Sequence, residues 1–297
     1  MYDLPKIVWT HWDSDDLPEV CRLCIARTRR VLHDWDVRFI TTPEFLKLYS
    51  PPAEFGSLAK QAQSDFIRLW LLKEYGGTWM DISIVLNKSL NDLYDESVAT
   101  QAECTGFYLD GYTTNPSYPV FESWFIMAPI GSRVIASWYE EFYKAVTMGF
   151  AKYKKAAQAE GVDMQRIFQN ENDTYLTIHL CYQVVIQKRM QANILYKKAE
   201  DTMYSVHQKC DFDESCMKTE FAKPAVRDIP YIKLRGGDRA LFPVTYFAEY
   251  DFWWWFLLFC IILGACFGLV VYAWAPLSST IPGKWLARLY RGVRRAL

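Results

Sequence analysis

The segment 64–86 (SDFIRLWLLKEYGGTWMDISIVL) constrains the fold of this chain more than any other stretch. Residues 58–75 are mostly good helix formers, and the glycine pair at 76–77 stands where a helix would end. After the glycines, residues of alternating character predict a strand that continues to the end of the segment. Side chains two residues apart on a strand point the same way, so Asp81 and Ser83 share one face. The sequence therefore predicts a helix, a tight turn and a strand that bears a carboxylate beside a hydroxyl.

Two charged residues of the predicted helix, Asp65 and Arg68, lie one turn apart on one helix face. A helix that folds back on the strand brings both close to Asp81. Oxygen ligands suit Mg²⁺ or Mn²⁺, which proteins usually hold with one or two carboxylates and substrate phosphates. In the alternative, Asp81 only ends a strand and the helix carries a surface ion pair. The combination favours a site, with Asp81, Asp65 and Arg68 as the candidate catalytic residues.

The pattern S-D-x-x-R followed by Y-G-G-x-W-x-D-x-S resembles the sugar-donor segment of glycosyltransferases that carry a D-x-D motif. It most resembles the capsular polysaccharide synthesis type, within the family 32-like group. This resemblance implies a GT-A fold, an α/β Rossmann-type nucleotide-sugar-binding domain with a mixed, mainly parallel sheet. It also implies a retaining transfer assisted by Mn²⁺ or Mg²⁺ at Asp81 and Ser83, although Ser83 replaces the second carboxylate of the motif. Gly76 and Gly77 become candidate residues of the sugar-donor site.

The first fifty residues predict a parallel α/β sheet. Residues 5–12 (PKIVWTHW) predict a buried strand, and residues 17–32, 36–40 and 42 onward predict a helix, a strand and a helix. Ligands of open α/β sheets bind at the carboxyl ends of strands. In the resembled family the end of the first strand contacts the nucleotide, whereas core packing is the alternative for the tryptophans. The resemblance makes four residues there candidates for sugar-donor binding, namely Trp9, Thr10, His11 and Trp12.

A polar, aromatic loop (FYLDGYTTNPSYP) and the predicted buried strand at 120–128 suit an acceptor sugar. A carboxylate within such a strand must be paired or functional, because an unpaired buried charge is costly. The candidate acceptor-binding residues are Asp110, Tyr112, Glu122 and Trp124; an ordinary surface loop is the alternative for the first two. His179, on a predicted helix at 174–190, is usually a core position. Because the resembled family has a similar histidine there, His179 is also a candidate metal ligand.

The stretch 230–239 (PYIKLRGGDR) combines a predicted strand with a basic glycine loop. Backbone N–H groups and cations around such a loop can hold a diphosphate and stabilise it as it leaves. Lys233, Arg235 and Arg239 are therefore candidate sugar-donor ligands, and a basic surface turn is the alternative. The stretch resembles the K-L-R-G-x-D-R segment of the same family. Asp238 is the candidate that completes the metal shell.

Residues 252–274 contain no charge and are flanked by aromatic residues, which predicts a transmembrane helix or a re-entrant segment. The basic amphipathic tail at 281–297 is typical of a helix on anionic lipid. The predicted domains are thus a GT-A-like domain at 1–250, the apolar segment and the tail. The start of the chain has no signal-peptide pattern. We expect the domain to face the cytosol, where nucleotide sugars are made; the Golgi or ER lumen is the alternative.

Composition excludes some classes of protein. The 297 residues are 51% hydrophobic and carry a formal net charge of −1, which gives no support for nucleic-acid binding. Eight cysteines include one C-x-x-C at 21–24 without a second pair at zinc spacing. They predict buried free thiols in a reducing compartment. A bridge between Cys210 and Cys216 is the alternative for a secretory location.

Together these patterns predict a membrane-anchored glycosyltransferase. It would move a sugar from a nucleotide-sugar donor to a glycan or glycolipid acceptor, with a metal that acts as Lewis acid for the leaving nucleotide. One rival is a non-catalytic, membrane-tethered sugar-binding protein that has lost its second metal carboxylate. The other rival is a metal-dependent phosphohydrolase that acts on a lipid diphosphate. That chemistry usually needs more clustered carboxylates or histidines than the four histidines here provide.

Overall fold

The structure is a computed structural model that describes residues 2–168 and 174–248, together with Cys260 and Leu263. Within these residues no helix is both long enough and apolar enough to cross a membrane. Apart from two positions, the predicted membrane segment at 252–274 lies outside the described residues, and so does the predicted tail at 281–297. Both therefore stay predictions.

By its internal contacts the chain divides into two compact units, Met1–Val244 and Thr245–Leu297. The first unit contains every strand and helix named below. The strands are β1 (Ile7–Trp12), β2 (Asp36–Thr41), β3 (Gly77–Met80), β4 (Ile84–Leu86), β5 (Cys104–Tyr108), β6 (Phe121–Ala128), β7 (Ile194–Lys198) and β8 (Tyr231–Lys233). The α-helices are α1 (Glu19–Val31), α2 (Thr42–Leu48), α3 (Lys60–Tyr75), α4 (Asn91–Thr100), α5 (Arg133–Met148), α6 (Phe150–Ala159), α7 (Thr177–Val184), α8 (Ser205–Lys209), α9 (Glu214–Phe221) and α10 (Asp238–Leu241).

Six strands form the main sheet in the order β2-β1-β3-β6-β5-β7. The pairs β1–β2, β1–β3 and β5–β7 are parallel, whereas β3–β6 and β5–β6 are antiparallel. The fold is therefore α/β with a mixed, mainly parallel sheet, as the sequence analysis predicted. The strands β4 and β8 pair with each other in a separate antiparallel ribbon.

Both faces of the main sheet are buried, because successive residues of its central strands enter different clusters. Trp9 and Trp79 pack with residues of α3, α5 and α7 on one face. Val8 and Met80 pack with the apolar residues of the β4–β8 ribbon on the other. A strand that is buried on both sides has no polar face, which is typical of the central strands of α/β sheets.

The turn after α3 requires its two glycines. Gly76 and Gly77 adopt φ values of +62° and +93°, a region that residues with a side chain rarely adopt. A Cβ atom on Gly77 would lie 2.8 Å from the carbonyl oxygen of Ile7, which is too close. The turn thus brings β3 directly beside β1, with Thr78 paired to Val8.

The predicted single strand from the glycines to Leu86 is wrong, because the chain leaves the sheet after Met80. The Asp81 N–H still donates to the Trp124 carbonyl oxygen at 2.9 Å, but residues 81–83 then form a turn. The Ile84 N–H closes this turn by donating to the Asp81 carbonyl oxygen at 3.0 Å. Asp81 and Ser83 therefore stand on a turn between two sheets, and not on one strand face.

The prediction of free thiols is wrong for one pair. Cys210 and Cys216 form a disulfide across the loop between α8 and α9, with Cα atoms 5.5 Å apart. Asp211 and Phe212 adopt φ values of +47° and +60°, which turn the chain back so that the two cysteines meet. Four other cysteines are free and buried as predicted: Cys21, Cys24, Cys104 and Cys181.

Candidate functional site

A cleft of about 1120 Å³ opens where β1 and β3 end, at the carboxyl edge of the parallel strands. Ligands of open α/β sheets bind at such an edge. Thirteen of the nineteen residues predicted from the sequence line this cleft: His11, Trp12, Asp65, Arg68, Asp81, Ser83, Tyr112, Glu122, Trp124, His179, Lys233, Arg235 and Arg239. Six predicted residues do not line it: Trp9, Thr10, Gly76, Gly77, Asp110 and Asp238.

Asp81 is the centre of a hydrogen-bond network in the cleft. Its Oδ1 accepts from Trp79 Nε1 at 3.0 Å and from Arg68 Nη2 at 3.1 Å, and its Oδ2 accepts from Lys233 Nζ at 2.9 Å. Burial opposes ionisation, but the Lys233 ammonium and the Arg68 guanidinium hold the pKa of Asp81 below its ordinary value. The carboxylate is thus charged and shared by two cations.

Arg68 also pairs with the buried Asp65, at 3.0 Å between Nη1 and Oδ1. Gln61 Nε2 donates to the other carboxylate oxygen at 2.5 Å. Burial raises the pKa of Asp65 to about 6, although the Arg68 and His179 charges act in the opposite direction. At neutral pH the carboxylate is therefore charged. As their spacing predicted, Asp65 and Arg68 lie on one face of α3. They form a buried ion pair that extends to Asp81, and not the surface pair of the alternative.

Lys233 reaches the same site from the end of the chain. The antiparallel pairing of β8 with β4 sets Lys233 opposite Ile84. Its Nζ donates to Asp81 Oδ2 at 2.9 Å, to Ser83 Oγ at 3.1 Å and to the Leu234 carbonyl oxygen at 3.2 Å. Ser83 Oγ in turn donates to the Leu234 carbonyl oxygen at 2.8 Å. The ammonium is buried and uses all three of its N–H groups.

The predicted metal ligands Asp81, Ser83, Asp238 and His179 do not come together. Lys233 holds the oxygens of the first two, and Asp238 lies outside the cleft. Within the described ranges no group of three or more His, Cys, Asp or Glu residues could hold a metal ion. A divalent cation between Asp81 and Ser83 would meet the Lys233 ammonium at hydrogen-bond distance. The residues of this site therefore do not fit Mn²⁺ or Mg²⁺.

Asp238 organises the basic loop instead. Its carboxylate accepts from the N–H, Nε and Nη2 of Arg235 at 2.7, 2.9 and 2.9 Å, and it lies 2.8 Å from Nε2 of the buried His207. Burial opposes ionisation, yet these bonds hold the pKa of Asp238 well below its usual range. Asp238 thus positions Arg235, which it leaves facing the cleft with its guanidinium 5.0 Å from the Phe212 ring centre.

The other arginine of that loop, Arg239, lies over the ring of Trp12 at 5.3 Å from its centre. No described acidic side chain forms an ion pair with Arg239, so its charge is available to a ligand. Together, the described lining residues include six Lys or Arg and four Asp or Glu side chains. The cleft therefore carries net positive charge, whereas the whole chain carries a formal net charge of −1.

Three predicted sugar-donor residues of β1 are buried, and two of them lie outside the cleft. Trp9 is in the core, and its Nε1 donates to the Gly76 carbonyl oxygen at 3.0 Å. Thr10 is buried outside the cleft, and its hydroxyl has no hydrogen-bond partner among the described residues. The ring of His11 bridges the hydroxyls of Ser64 at 3.2 Å and Thr42 at 3.0 Å. Burial and then the Arg68 charge lower its pKa to about 4, so this imidazole is neutral at pH 7.

The predicted acceptor residues divide in the same way. Asp110 pairs with Lys198 at 2.7 Å on the surface and does not line the cleft. Glu122 does line it and lies buried with its Oε2 3.6 Å from Nε2 of His179. Both ring nitrogens of His179 lack a hydrogen-bond partner in the described parts of the chain, and so does Nε1 of Trp124. Buried polar groups without partners suit a ligand that is itself rich in hydroxyls.

Sequence reasoning missed thirteen further residues that line the cleft, among them Lys60, Gln61, Ser64, Arg166, Tyr175 and Tyr204. The sequence contains a signal for Gln61 and Ser64. Gln61 and Ser64 each precede a site residue of α3 by four positions, so helical periodicity puts them on the same face as Asp65 and Arg68. Nothing in the sequence connects Tyr175 or Tyr204 to the site, because loops distant in sequence bring them there.

Among solved structures, a glycosyltransferase involved in the glycosylation of the major capsid of PBCV-1 is 11% identical, with a TM-score of 0.44; the match covers 79% of this chain and 94% of that chain. The galactosyltransferase LgtC, solved with donor and acceptor sugar analogs, is 11% identical, with a TM-score of 0.43; this match covers 82% of this chain and 94% of that chain. Both scores are below 0.5.

Among curated proteins, the O-glycosyltransferase PaGT of Phomopsis amygdali is 23% identical over 157 residues, which cover 47% of this chain and 38% of that protein. The glycosyltransferase afumC of Aspergillus fumigatus is 30% identical over 155 residues, which cover 46% of this chain and 39% of that protein. The matched part thus spans well under half the length of these relatives. Residues 3–233 match the family described as capsular polysaccharide synthesis protein, and this chain therefore belongs to that family.

Proposed function

We propose that this chain is a glycosyltransferase that moves a sugar from a nucleotide-sugar donor to a glycan or glycolipid acceptor. The observation that carries the proposal is the cationic cleft around Asp81 at the carboxyl edge of the sheet. A nucleoside diphosphate brings negative charge that such a cleft attracts. The names of the curated relatives, all glycosyltransferases, support the same activity class.

The diphosphate of the sugar donor fits the basic side of the cleft. Arg239 has a charge free of described acidic partners, and Arg235 is oriented toward the cleft by Asp238. A guanidinium binds phosphate oxygens in a fixed, two-pronged geometry. The ring of Trp12 lies under Arg239 and offers a flat face for the base. The partly exposed carboxylate of Asp81 is then an acceptor for hydroxyls of the ribose or of the donor sugar.

The sugar rings fit another part of the cleft lining, where buried nitrogens of His179 and Trp124 have no hydrogen-bond partner among the described residues and Glu122 lies 3.6 Å from His179. Hydroxyl groups both donate and accept hydrogen bonds, so a sugar can satisfy a carboxylate, an imidazole and an indole together. Tyr112 also lines the cleft and is exposed, so it offers an aromatic face. These four residues would hold the transferred sugar and the acceptor against each other.

In the transfer, the bond between the anomeric carbon and the diphosphate oxygen breaks, and its electron pair stays with the diphosphate. The acceptor hydroxyl oxygen bonds to the anomeric carbon, and its proton passes to the departing diphosphate. Fixed positive charge beside the leaving oxygens stabilises the transition state, because negative charge develops there. A proton that moves to the leaving group is compatible with a retaining transfer. The proposed transfer therefore retains the configuration at the anomeric carbon.

The two rival functions fit the site less well. A metal-dependent phosphohydrolase needs clustered acidic or histidine ligands, and the described residues contain no such group. A non-catalytic sugar-binding protein has no need for a buried cation at the place where a leaving diphosphate would stand. The buried and fully bonded Lys233 is such a cation.

We propose further that the enzyme is attached to a membrane by the apolar segment 252–274, with its domain in the Golgi or ER lumen. The disulfide between Cys210 and Cys216 supports this orientation, because disulfides persist in oxidising compartments. Basic residues beside a membrane span favour the cytosolic side. With a single span, the basic tail at 281–297 would then be cytosolic and the domain lumenal. This proposal replaces the cytosol-facing domain expected from the sequence.

The activity test uses the full chain with a panel of UDP- and GDP-sugars, and measures release of nucleoside diphosphate and of the sugar. We expect turnover of one donor, and a decrease of roughly 100-fold or more in Asp81→Asn, because this change removes the charge that the site is built around. Asp92→Asn is the control, since Asp92 pairs with Lys88 on the surface. Sugar binding without any turnover would favour the sugar-binding protein instead.

A further inference from the structure

Lys233 indicates which cation stabilises the diphosphate in this cleft. In the sequence, Asp81 and Ser83 are spaced like a pair of metal ligands. In the structure the Lys233 ammonium lies between them, at 2.9 Å from Asp81 Oδ2 and 3.1 Å from Ser83 Oγ. The place predicted for a divalent ion therefore contains a cation that belongs to the protein.

The number of oxygen acceptors at this site equals the number of N–H groups of an ammonium. The three N–H groups of Lys233 have three oxygen acceptors, from Asp81, Ser83 and the Leu234 carbonyl. The acceptors include only one carboxylate, so one positive charge is enough to balance it. A divalent ion is usually bound by more oxygen ligands than these three. Ser83 also uses its own hydrogen to bond the Leu234 carbonyl oxygen, which fixes its lone pairs toward the ammonium.

The neighbouring charges would oppose a metal ion. Arg68 bonds the same carboxylate from its other side, with Nη2 at 3.1 Å from Asp81 Oδ1. A divalent ion at Asp81 would thus stand among two buried cations, and like charges at such distances repel strongly where water is excluded. Lys233 is fixed by the β4–β8 ribbon and by its burial. Displacing it would break three hydrogen bonds and leave an ammonium without partners, which is costly.

We propose that Lys233 takes the place of the divalent cation, so that this chain binds and releases a nucleoside diphosphate without metal. The inference rests on the proposed function and concerns the same cleft. With the sugar donor bound, a phosphate oxygen takes the place of one of the three acceptors of the Lys233 ammonium, which stays bonded to Asp81, and Arg239 contacts the same diphosphate. Lys233 then stabilises the electron pair that the leaving diphosphate receives when its bond to the sugar breaks. The protein supplies all of the positive charge.

The experiment measures binding of UDP and of GDP to the metal-stripped full chain by calorimetry, in EDTA and separately with added Mn²⁺. We expect at least one nucleotide to bind with the same Kd, within about twofold, in both buffers. In Lys233→Met the Kd measured in EDTA rises by about 10- to 100-fold, the range of a lost hydrogen bond to a charged group. Lys233→Arg keeps the positive charge and is expected to keep most of the metal-free binding.

The matched control is Lys223→Met, because Lys223 is exposed and pairs with Glu220 on the surface. Circular dichroism and thermal unfolding show which variants are folded before their affinities are compared. Binding that requires Mn²⁺ in the wild type would overturn the metal-free inference and leave the glycosyltransferase proposal intact. A folded Lys233→Met that binds as well as the wild type in EDTA would also overturn it. Absence of binding in both buffers would overturn the inference and the proposed function together.

Discussion

Arg68 connects the two acidic residues on which the site depends. Its guanidinium donates to Asp65 and to Asp81 and lies 4.8 Å from the ring centre of Trp79. Removing one member of a buried ion pair costs about 3–5 kcal/mol, because the remaining charge loses its partner. The Nε of Arg68 has no hydrogen-bond partner in the described residues, so the side chain retains one donor for a ligand. A change at Arg68, Asp65 or Asp81 therefore removes a charged partner from this network.

Asp65 makes stability depend on pH in a way that can be measured. The unfolded chain releases this proton near pH 3.8 and the folded chain near pH 6. Between these values the folded state binds more protons, so its stability falls as pH rises. We expect a decrease of about 2.5 kcal/mol from this group between about pH 4 and about pH 7, which Asp65→Asn does not share. Urea denaturation of both proteins across this range measures the difference.

Asp92→Asn serves as the control for this comparison. Asp92 is exposed and pairs with Lys88, so its removal is expected to leave the pH dependence of the wild type unchanged. Parallel curves for wild type and Asp65→Asn would show that the Asp65 carboxyl ionises at its ordinary pKa, against the prediction.

At the scale of elements, the site depends on two short connections more than on the regular helices and strands. The glycine turn joins α3 to β3 and so fixes the distance between Arg68 and Asp81. The β4–β8 ribbon starts right after the 81–83 turn and brings Lys233 to it. Each connection is short, so a change in its backbone moves a charged side chain directly.

Gly77→Ala tests the first connection. The new Cβ would lie 2.8 Å from the Ile7 carbonyl oxygen, and alanine would have to adopt a φ of +93°. We expect a loss of about 2–4 kcal/mol in the free energy of unfolding, from strain and from displacement of β1 against β3. We expect nucleotide binding to weaken as well, because Asp81 follows β3 directly. Urea denaturation and calorimetry measure the two effects.

Gly56→Ala is the matched control. Gly56 has a negative φ, and a Cβ there would meet no atom within 4 Å. This change is expected to alter stability by less than about 1 kcal/mol and to leave nucleotide binding unchanged. A Gly77→Ala protein as stable as Gly56→Ala would mean that the turn tolerates a side chain.

At the scale of the whole molecule, the cleft joins residues that lie far apart in the chain. Lys233 and Ser83 are separated by 150 positions, yet they are in hydrogen-bond contact. The region between the last two strands carries the disulfide, and His207 from the same region holds Asp238. The C-terminal part of the first unit thus completes the site that α3 and β3 begin.

The orientation of the domain is tested on sealed membrane vesicles that contain the full chain. We expect added protease to leave residues 2–244 intact, because a lumenal domain is protected by the membrane. Detergent that opens the vesicles is the control and is expected to allow digestion. Mass spectrometry of the non-reduced protein is expected to find the peptides of Cys210 and Cys216 linked, since an oxidising lumen preserves disulfides. Digestion of the domain in sealed vesicles would place it in the cytosol.

Local sequence patterns determined much of this protein. The helix formers of α3, the glycine pair and the apolar runs of β1 and β6 predict their own elements, because propensity and turn chemistry act over short distances. The same patterns identified Asp65, Arg68 and Asp81 as neighbours. The basic stretch at 230–239 was likewise recognisable as a set of cations. These features depend on residues that are close together in the chain.

Only the tertiary structure decided what Asp81 and Ser83 bind. Their spacing indicated a metal site, but the β4–β8 pairing brings the Lys233 ammonium between them. Asp238 likewise looked like a metal ligand, and the fold instead surrounds it with Arg235 and His207. The physical reason is that the charge state and partners of a side chain are set by groups that approach through space. Strand pairing between distant segments leaves no local signal in the sequence.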